Sequence, residues 1–255
     1  MAKDGKENGP IYAPRRTKAS VLIAHMLARR AAELEPGDAL PPERALIEEL
    51  QVGRSTLREA LRLLELQGIV TIKAGPGGGP IVARPDHRPL AHTLSLALQT
   101  AEVTFQELIE TRRMIEGDLA SLAAASATED DIAALRKSVE DMEETRGDEE
   151  AFLAENLNFH ELLSKAASNR LLGLFYASLK EISDGHIMGV SYSKGSRAQT
   201  VKDHRAITEA VAAADGDGAR KAMTDHLSEF EAYIRRRYPE VLKRRIRWML
   251  DDQLG

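Results

Sequence analysis

Three histidines, each on the apolar face of a different predicted helix, are the first candidates for chemistry in this chain. They are His160, His204 and His226, and Asn156 lies one turn before His160 on the same face. Three neutral imidazoles plus one oxygen ligand, with coordination positions left open, suit zinc, nickel or another divalent metal. A histidine on an apolar face is also often a hydrogen-bonded core residue. The spacing alone therefore leaves a metal site and a polar core as alternatives.

A buried arginine is the second candidate. Arg112 falls within the apolar stripe of a predicted helix over residues 105–126, and an unpaired cation there would be costly. Glu116, one turn on, could pair with it in a structural ion pair. Alternatively, its guanidinium could bind the carboxylate of a small effector through two N–H groups. Asn156 and His186, the latter on a stripe with Ile182, are predicted to line the same effector pocket.

The charge of the chain is divided unevenly along its length. The whole chain has 35 Lys plus Arg and 40 Asp plus Glu, a net charge of −5, which argues weakly against a nucleic-acid partner. Residues 1–85 hold 13 basic and 10 acidic residues (+3), whereas residues 86–255 hold 22 and 30 (−8). Without cysteine, thiolate chemistry is excluded. We expect a cytoplasmic protein with no membrane segment, since no apolar run approaches the length of a span.

The elements that must position these residues are mainly helices. Residues 18–34, 42–50 and 55–67 have helical apolar spacing, and β-like runs at 69–73 and 80–84 flank a Gly-rich turn. This order predicts a winged helix-turn-helix. The remainder predicts an all-helical bundle with helices over 89–100, 105–126, 129–146, 149–167, 169–188, 196–214 and 217–237. We divide the chain into a flexible tail (1–16), a winged helix-turn-helix domain (17–85), a helical effector domain (86–238) and a helical C-terminal tail (239–255).

The third helix has the side chains that a recognition helix needs. Its first turns present Arg54, Ser55, Thr56 and Arg58, short polar or basic groups that reach base edges and phosphates. Further predicted DNA contacts are Arg44 in the second helix and Lys73 and Gly75 at the wing. Surface arginines on a solvated helix are the alternative, and the order of the elements favours DNA binding.

Four segments of this region resemble the DNA-binding domain of the GntR family of bacterial transcription regulators. They are residues 40–46 (LPPERAL), 52–61 (VGRSTLREAL), 67–70 (QGIV) and the Gly-rich wing, within a resemblance that covers about 17–84. The resemblance implies DNA contacts for the seven residues named above. Pro42 stands where Ser is usual and Gly53 where Ser or Thr usually caps the recognition helix. Because Gly is a tolerable cap, we expect altered half-site detail rather than lost binding.

The helical region resembles the FCD effector domain of the FadR subfamily over about residues 89–238. The resemblance is carried by residues 110–116 (ETRRMIE), 156–160 (NLNFH), 203–207 (DHRAI) and 225–227 (DHL). It implies metal roles for His160, His204 and His226 and small carboxylic acids as effectors. Metal-binding members have Asp four residues before the first of these histidines. Here that residue is Asn156, a neutral and weaker ligand.

The expected protein is a homodimeric regulator, most simply a repressor, that binds a palindromic double-stranded DNA operator and responds to a small carboxylate. An alternative is a metal-dependent hydrolase with an accessory winged helix, because three histidines and an open position could activate water. No carboxylate at a fixed offset supplies the general base for that chemistry. A DNA-binding protein without effector is a third possibility. The basic run over residues 235–247 is interpreted as a solvated face, with a second DNA contact as the alternative.

Overall fold

The computed structural model describes residues 18–75, 78–84, 86–184 and 190–247. The chain divides into two compact units between Asp86 and His87. The tail predicted over 1–16, and His186, predicted to line the effector pocket, lie outside the described residues. Among the residues described, no helix is long and apolar enough to cross a membrane.

The first unit contains three helices followed by a hairpin. The elements are α1 (Ala19–Ala31), α2 (Glu43–Leu50), α3 (Arg54–Leu66), β1 (Val70–Lys73) and β2 (Gly79–Val82). The strands are antiparallel, with Val70 opposite Val82 and Lys73 opposite Gly79. This order confirms the predicted winged helix-turn-helix. Pro42, predicted as the first helical residue of α2, is instead its N-cap.

Helix α3 has one buried face and one exposed face. Leu57, Leu61 and Leu64 are buried and pack with residues of α1 and α2 in one apolar core. Gly53 is the N-cap of α3, as predicted. After the helix, Gly68 has a φ of +67°, a conformation that favours glycine and turns the chain into β1.

The second unit contains helices and no β-strand among its described residues. Its helices are α4 (Arg88–Thr100), α5 (Phe105–Ser126), α6 (Glu129–Glu144), α7 (Glu149–Ala166), α8 (Arg170–Asp184), α9 (Lys194–Ala212), α10 (Gly216–Arg237) and α11 (Pro239–Leu242), with a 3₁₀ turn at Thr145–Gly147. Helix α5 is central, because it packs against α7, α8, α9 and α10. Thr104 and Thr128 form capping boxes at the starts of α5 and α6. The core of this unit therefore surrounds α5.

The C-terminal segment differs from the predicted helix. Helix α11 ends at Leu242, and the described residues after it are not helical. Instead, the N–H of Phe105 donates to the Arg244 carbonyl and that of Ile246 to the Val103 carbonyl, each at 2.8 Å. Ile246 is fully buried while Arg244 and Arg245 are exposed. Ile246 is the only buried residue of 243–247, so the basic side chains of this segment face solvent.

Candidate functional site

The three predicted histidines meet in the interior of the helical unit. His160 comes from α7, His204 from α9 and His226 from α10, and their side chains are 4%, 0% and 7% exposed. One ligand atom from each lies within 4.8 Å of the other two. Among the described residues, this is the only such group of His, Asp or Glu. Helical spacing placed each histidine on an inward face, and the packing of three helices brings them together.

Two of the imidazoles face each other at a distance that fits a shared ion. Nε2 of His204 lies 3.3 Å from Nε2 of His226. Two nitrogens bound to one zinc ion at about 2.1 Å and a tetrahedral angle would be about 3.4 Å apart. His204 also stacks on Phe159 with ring centroids 3.9 Å apart, and its Nδ1 is buried without a hydrogen-bond partner. The donors present therefore fit a divalent ion bound by imidazole nitrogen.

Carboxylates contact the outer nitrogens of the other two histidines. Oδ2 of Asp203 lies 3.3 Å from Nδ1 of His226. Oε2 of Glu116 lies 2.6 Å from Nδ1 of His160, although without the angle of a hydrogen bond. A carboxylate at Nδ1 favours a proton there and leaves Nε2 with a free lone pair, the usual outer arrangement of a metal-binding histidine.

Burial keeps two of the histidines in the neutral form. Desolvation lowers the pKa of His160, and this effect outweighs the nearby charge of Glu116. Desolvation, together with His226 and His160, lowers the pKa of His204 well below its ordinary value. Neutral imidazole is the form that binds metal. Both side chains are thus in the ligating state near neutral pH.

Arg112 forms a buried ion pair with Glu116, which lies four residues later on the same helix. Its Nε donates to Oε1 of Glu116 at 2.8 Å, and one terminal nitrogen donates to Oγ of Ser183 at 3.0 Å. Burial alone would raise the pKa of Glu116, but Arg112 and then His160 lower it to about 2. Burial alone would lower the pKa of Arg112, but Glu116 raises it above its ordinary value. Both groups are therefore ionised, and Glu116 links Arg112 to His160.

A cavity of about 330 Å³ opens onto this site. Arg112, Asn156, His160 and His226 all line it. In the described part of the chain, the second terminal nitrogen of Arg112 makes no hydrogen bond. The remaining walls are rich in hydroxyl and amide groups, contributed by Ser193, Ser196, Gln199, Thr200 and Tyr233. The carboxylates of Asp184, Asp203 and Glu229 and the guanidinium of Arg236 also line the cavity. A small anion would bind beside the guanidinium of Arg112, where imidazoles and neutral polar groups surround it.

The sequence did not predict the outer contacts of the histidines. Asp203 was noted only as a neighbour of His204, yet it contacts His226 of the adjacent helix. Glu116 was identified as a partner of Arg112, and its contact with His160 was missed. Its i,i+4 spacing from Arg112 signalled the first contact. The second depends on how α5 packs against α7, for which the sequence contains no local signal.

The residues predicted to contact DNA lie on the exposed side of the first unit. Arg54, Ser55 and Arg58 are exposed on the first turns of α3, and Thr56 is half-buried. Arg58 pairs with Glu43 at 3.1 Å. Arg44 pairs with Glu48 at 3.3 Å, but its side chain is 93% exposed. Lys73 ends β1, and Lys73 and Gly75 are exposed at the wing.

The fold and the site define a class of protein: a winged helix-turn-helix regulator with a helical sensing domain. Residues 23–78 match the model for bacterial regulatory proteins of the gntR family, and residues 107–229 match the FCD domain. The chain belongs to the GntR family of bacterial transcription regulators and has the FCD architecture. It is a ligand-responsive transcription regulator, and the comparisons give no support to the hydrolase alternative.

Relatives from several bacteria align over most of this chain. The HTH-type transcriptional regulator LutR of Bacillus subtilis is 32% identical, with 78% of this chain and 92% of LutR covered. The HTH-type transcriptional repressor NanR of Enterobacter sp. strain 638 is 28% identical, with 85% of each covered. The solved structure of Streptococcus agalactiae GntR is 25% identical at a TM-score of 0.64, covering 84% of this chain and 99% of that one.

The buried ion pair generates a prediction about stability. Glu116→Ala leaves the guanidinium of Arg112 buried and uncompensated, so we expect a loss of about 3 kcal/mol in the free energy of unfolding. The measurement is urea unfolding followed by circular dichroism. Asp118→Ala is the matched control: Asp118 is also on α5, but it pairs with Arg220 of α10 at the surface, so its loss should change stability little. Equal effects of the two substitutions would contradict the assigned role of Glu116.

Proposed function

We propose that this protein is a homodimeric repressor that binds a palindromic operator and senses a small carboxylate beside a divalent metal. The observation that carries the proposal is one cavity lined by Arg112, His160 and His226 in a chain that also has a winged helix-turn-helix. The repressor assignment is supported by the name of the relative NanR.

DNA recognition is assigned to the exposed side of α3, the start of α2 and the wing. Arg54, Ser55, Thr56 and Arg58 would enter the major groove, since the opposite side of α3 is buried in the core. Arg44, Lys73 and Gly75 would lie beside phosphates. The pair between Arg58 and Glu43 holds a basic side chain at the surface without a buried partner. This pair can exchange for a contact to DNA at little cost.

We expect Arg54→Ala and Arg58→Ala each to weaken operator binding by about tenfold or more, because a specific contact to a base contributes roughly 1–3 kcal/mol. The probe is an operator selected from a random duplex pool with the wild-type protein, and affinity is measured by gel shift at fixed salt. Arg29→Ala, an exposed charge on α1, is the control. A loss with Arg29→Ala as large as with Arg54→Ala would indicate only non-specific phosphate attraction.

The metal would be held by His160, His204 and His226, with Asn156 on the same cavity wall. Zinc and nickel are the best candidates, because imidazole ligands suit both. A bound divalent ion supplies a Lewis-acidic position at which an effector carboxylate can bind. Arg112 can orient the same carboxylate with its second terminal nitrogen, and the surrounding hydroxyl and amide groups can accept and donate hydrogen bonds to the rest of the effector.

We expect purified wild-type protein to hold zinc or nickel and to lose thermal stability after chelation, because an ion that binds the native state stabilises it. His204→Ala and His226→Asn should each remove most of the bound metal. Two variants are used because His204 is fully buried and its truncation leaves a cavity in the core. Elemental analysis and differential scanning fluorimetry are the measurements. His25→Ala, exposed on α1, is the control, and unchanged metal content in both site variants would refute the site.

The homodimer follows from how a winged helix-turn-helix reads DNA. One unit reads one half-site, and a net charge of +3 on residues 1–85 is too small for tight binding through phosphate attraction alone. Two linked units gain affinity through their high effective concentration. We therefore expect a solution mass of twice 28.0 kDa by light scattering, and a footprint with two symmetric half-sites. A single mass of 28.0 kDa at working concentrations would contradict the dimer.

A further inference from the structure

Among the described residues, two carboxylates contact the histidine cluster, and both contact nitrogens on its outer side. Glu116 binds Arg112 and contacts the outer nitrogen of His160. Asp203 accepts from Gln199 at 2.8 Å and contacts the outer nitrogen of His226.

The other two acidic residues on the cavity wall also lie outside the cluster. Asp184 pairs with Lys180 at 3.2 Å, and Glu229 is exposed. Among the described residues, no Asp or Glu joins the group of three histidines. The protein therefore brings no negative charge into direct contact with an ion at this centre.

The donors that remain are all neutral. An imidazole that binds metal does so in its neutral form. The polar side chain one turn before His160 is the neutral amide of Asn156, which also lines the cavity. Arg112 faces the same space, and its charge is already balanced by Glu116. A divalent cation bound here would keep most of its charge in a site that is largely shielded from water, which is unfavourable without an anion beside it.

We propose that metal and effector bind cooperatively in this protein, because the effector carboxylate supplies the negative charge that Asn156 does not. The inference rests on the proposed metal and carboxylate site and adds a regulatory property to it. The ligand class is a small monocarboxylate that reaches both the ion and Arg112. By linkage, the carboxylate raises the affinity for metal by the same factor as metal raises the affinity for carboxylate. The regulator then responds to the two ligands together.

Asn156→Asp is the variant that separates this property from the rest of the site. A carboxylate at residue 156 would provide the missing charge permanently, so metal should bind tightly with no added anion. Asn158→Asp is the matched control: it makes the same substitution two residues away on α7, where Asn158 is exposed and bonded to Glu155. Both variants change the net charge equally, and only the first changes the cavity wall.

The experiment measures zinc affinity by competition with a chromophoric chelator, using the full chain in a carboxylate-free buffer. Acetate and glycolate are the probes, and perchlorate at equal ionic strength is the reference anion. Free acetate binds zinc weakly, so any solution effect would lower the apparent affinity and oppose the expected change. In a second measurement cobalt replaces zinc. A change in the visible absorption bands of cobalt on addition of acetate or glycolate would show that the carboxylate binds the ion.

For wild type and Asn158→Asp, we expect acetate or glycolate to raise zinc affinity by about tenfold, within the usual range of coupling between sites. Asn156→Asp should bind zinc at least tenfold more tightly without anion and gain little from it. Two results would overturn the inference. One is a wild-type affinity for zinc that neither anion changes, and the other is an anion effect in Asn156→Asp as large as in wild type. Absence of zinc binding under every condition would instead refute the metal site itself, while operator binding remains a separate measurement.

Discussion

The buried ion pair between Arg112 and Glu116 is the interaction on which the sensing unit depends. Two charges inside a helical core are tolerated only as a well-bonded pair, and here the pair lies on α5, the helix around which the others pack. Glu116 uses one oxygen for Arg112 and directs the other to His160. One carboxylate thereby compensates the cation at the cavity wall and contacts the first histidine of the cluster. The charge balance of the core and the geometry of the candidate site share the same residue.

The polar side chains assigned to function are mostly exposed in the first unit and mostly buried in the second. In the first unit, Arg44, Arg54 and Arg58 remain at the surface, and the ion pairs of Arg44 and Arg58 there are weak and exchangeable. In the second, Arg112 and the three histidines are almost fully buried, where each polar contact matters much more. The net charges of +3 and −8 in the two parts of the chain follow the same division. The chain thus has one unit with a surface suited to a polyanion and another with an interior suited to a small ligand. Its overall charge of −5 reflects neither of these properties.

The periodic spacing of apolar residues predicted helices that have one buried face. The apolar spacing over residues 55–67 predicted a helix there, and Leu57, Leu61 and Leu64 are buried on one face of α3. The prediction failed at the C-terminal segment, where basic residues with good helix propensity suggested a continuous helix. The described residues after Leu242 are not helical, because the burial of Ile246 and its hydrogen bond to Val103 outweigh that propensity. Such contacts join residues far apart in sequence, and no local pattern contains them.

Taken alone, the sequence determined the order of the elements, the charge division, and the presence of three inward histidines and an asparagine in place of a carboxylate. These are local properties, set by side-chain type and by a period of 3.6 residues. Only the tertiary structure decided that His160, His204 and His226 come from three helices to one point, and that Glu116 and Asp203 contact their outer nitrogens. Periodicity places a side chain on a face of its own helix, whereas the axial position and rotation of neighbouring helices decide which faces meet. That arrangement is set by the packing of the whole core.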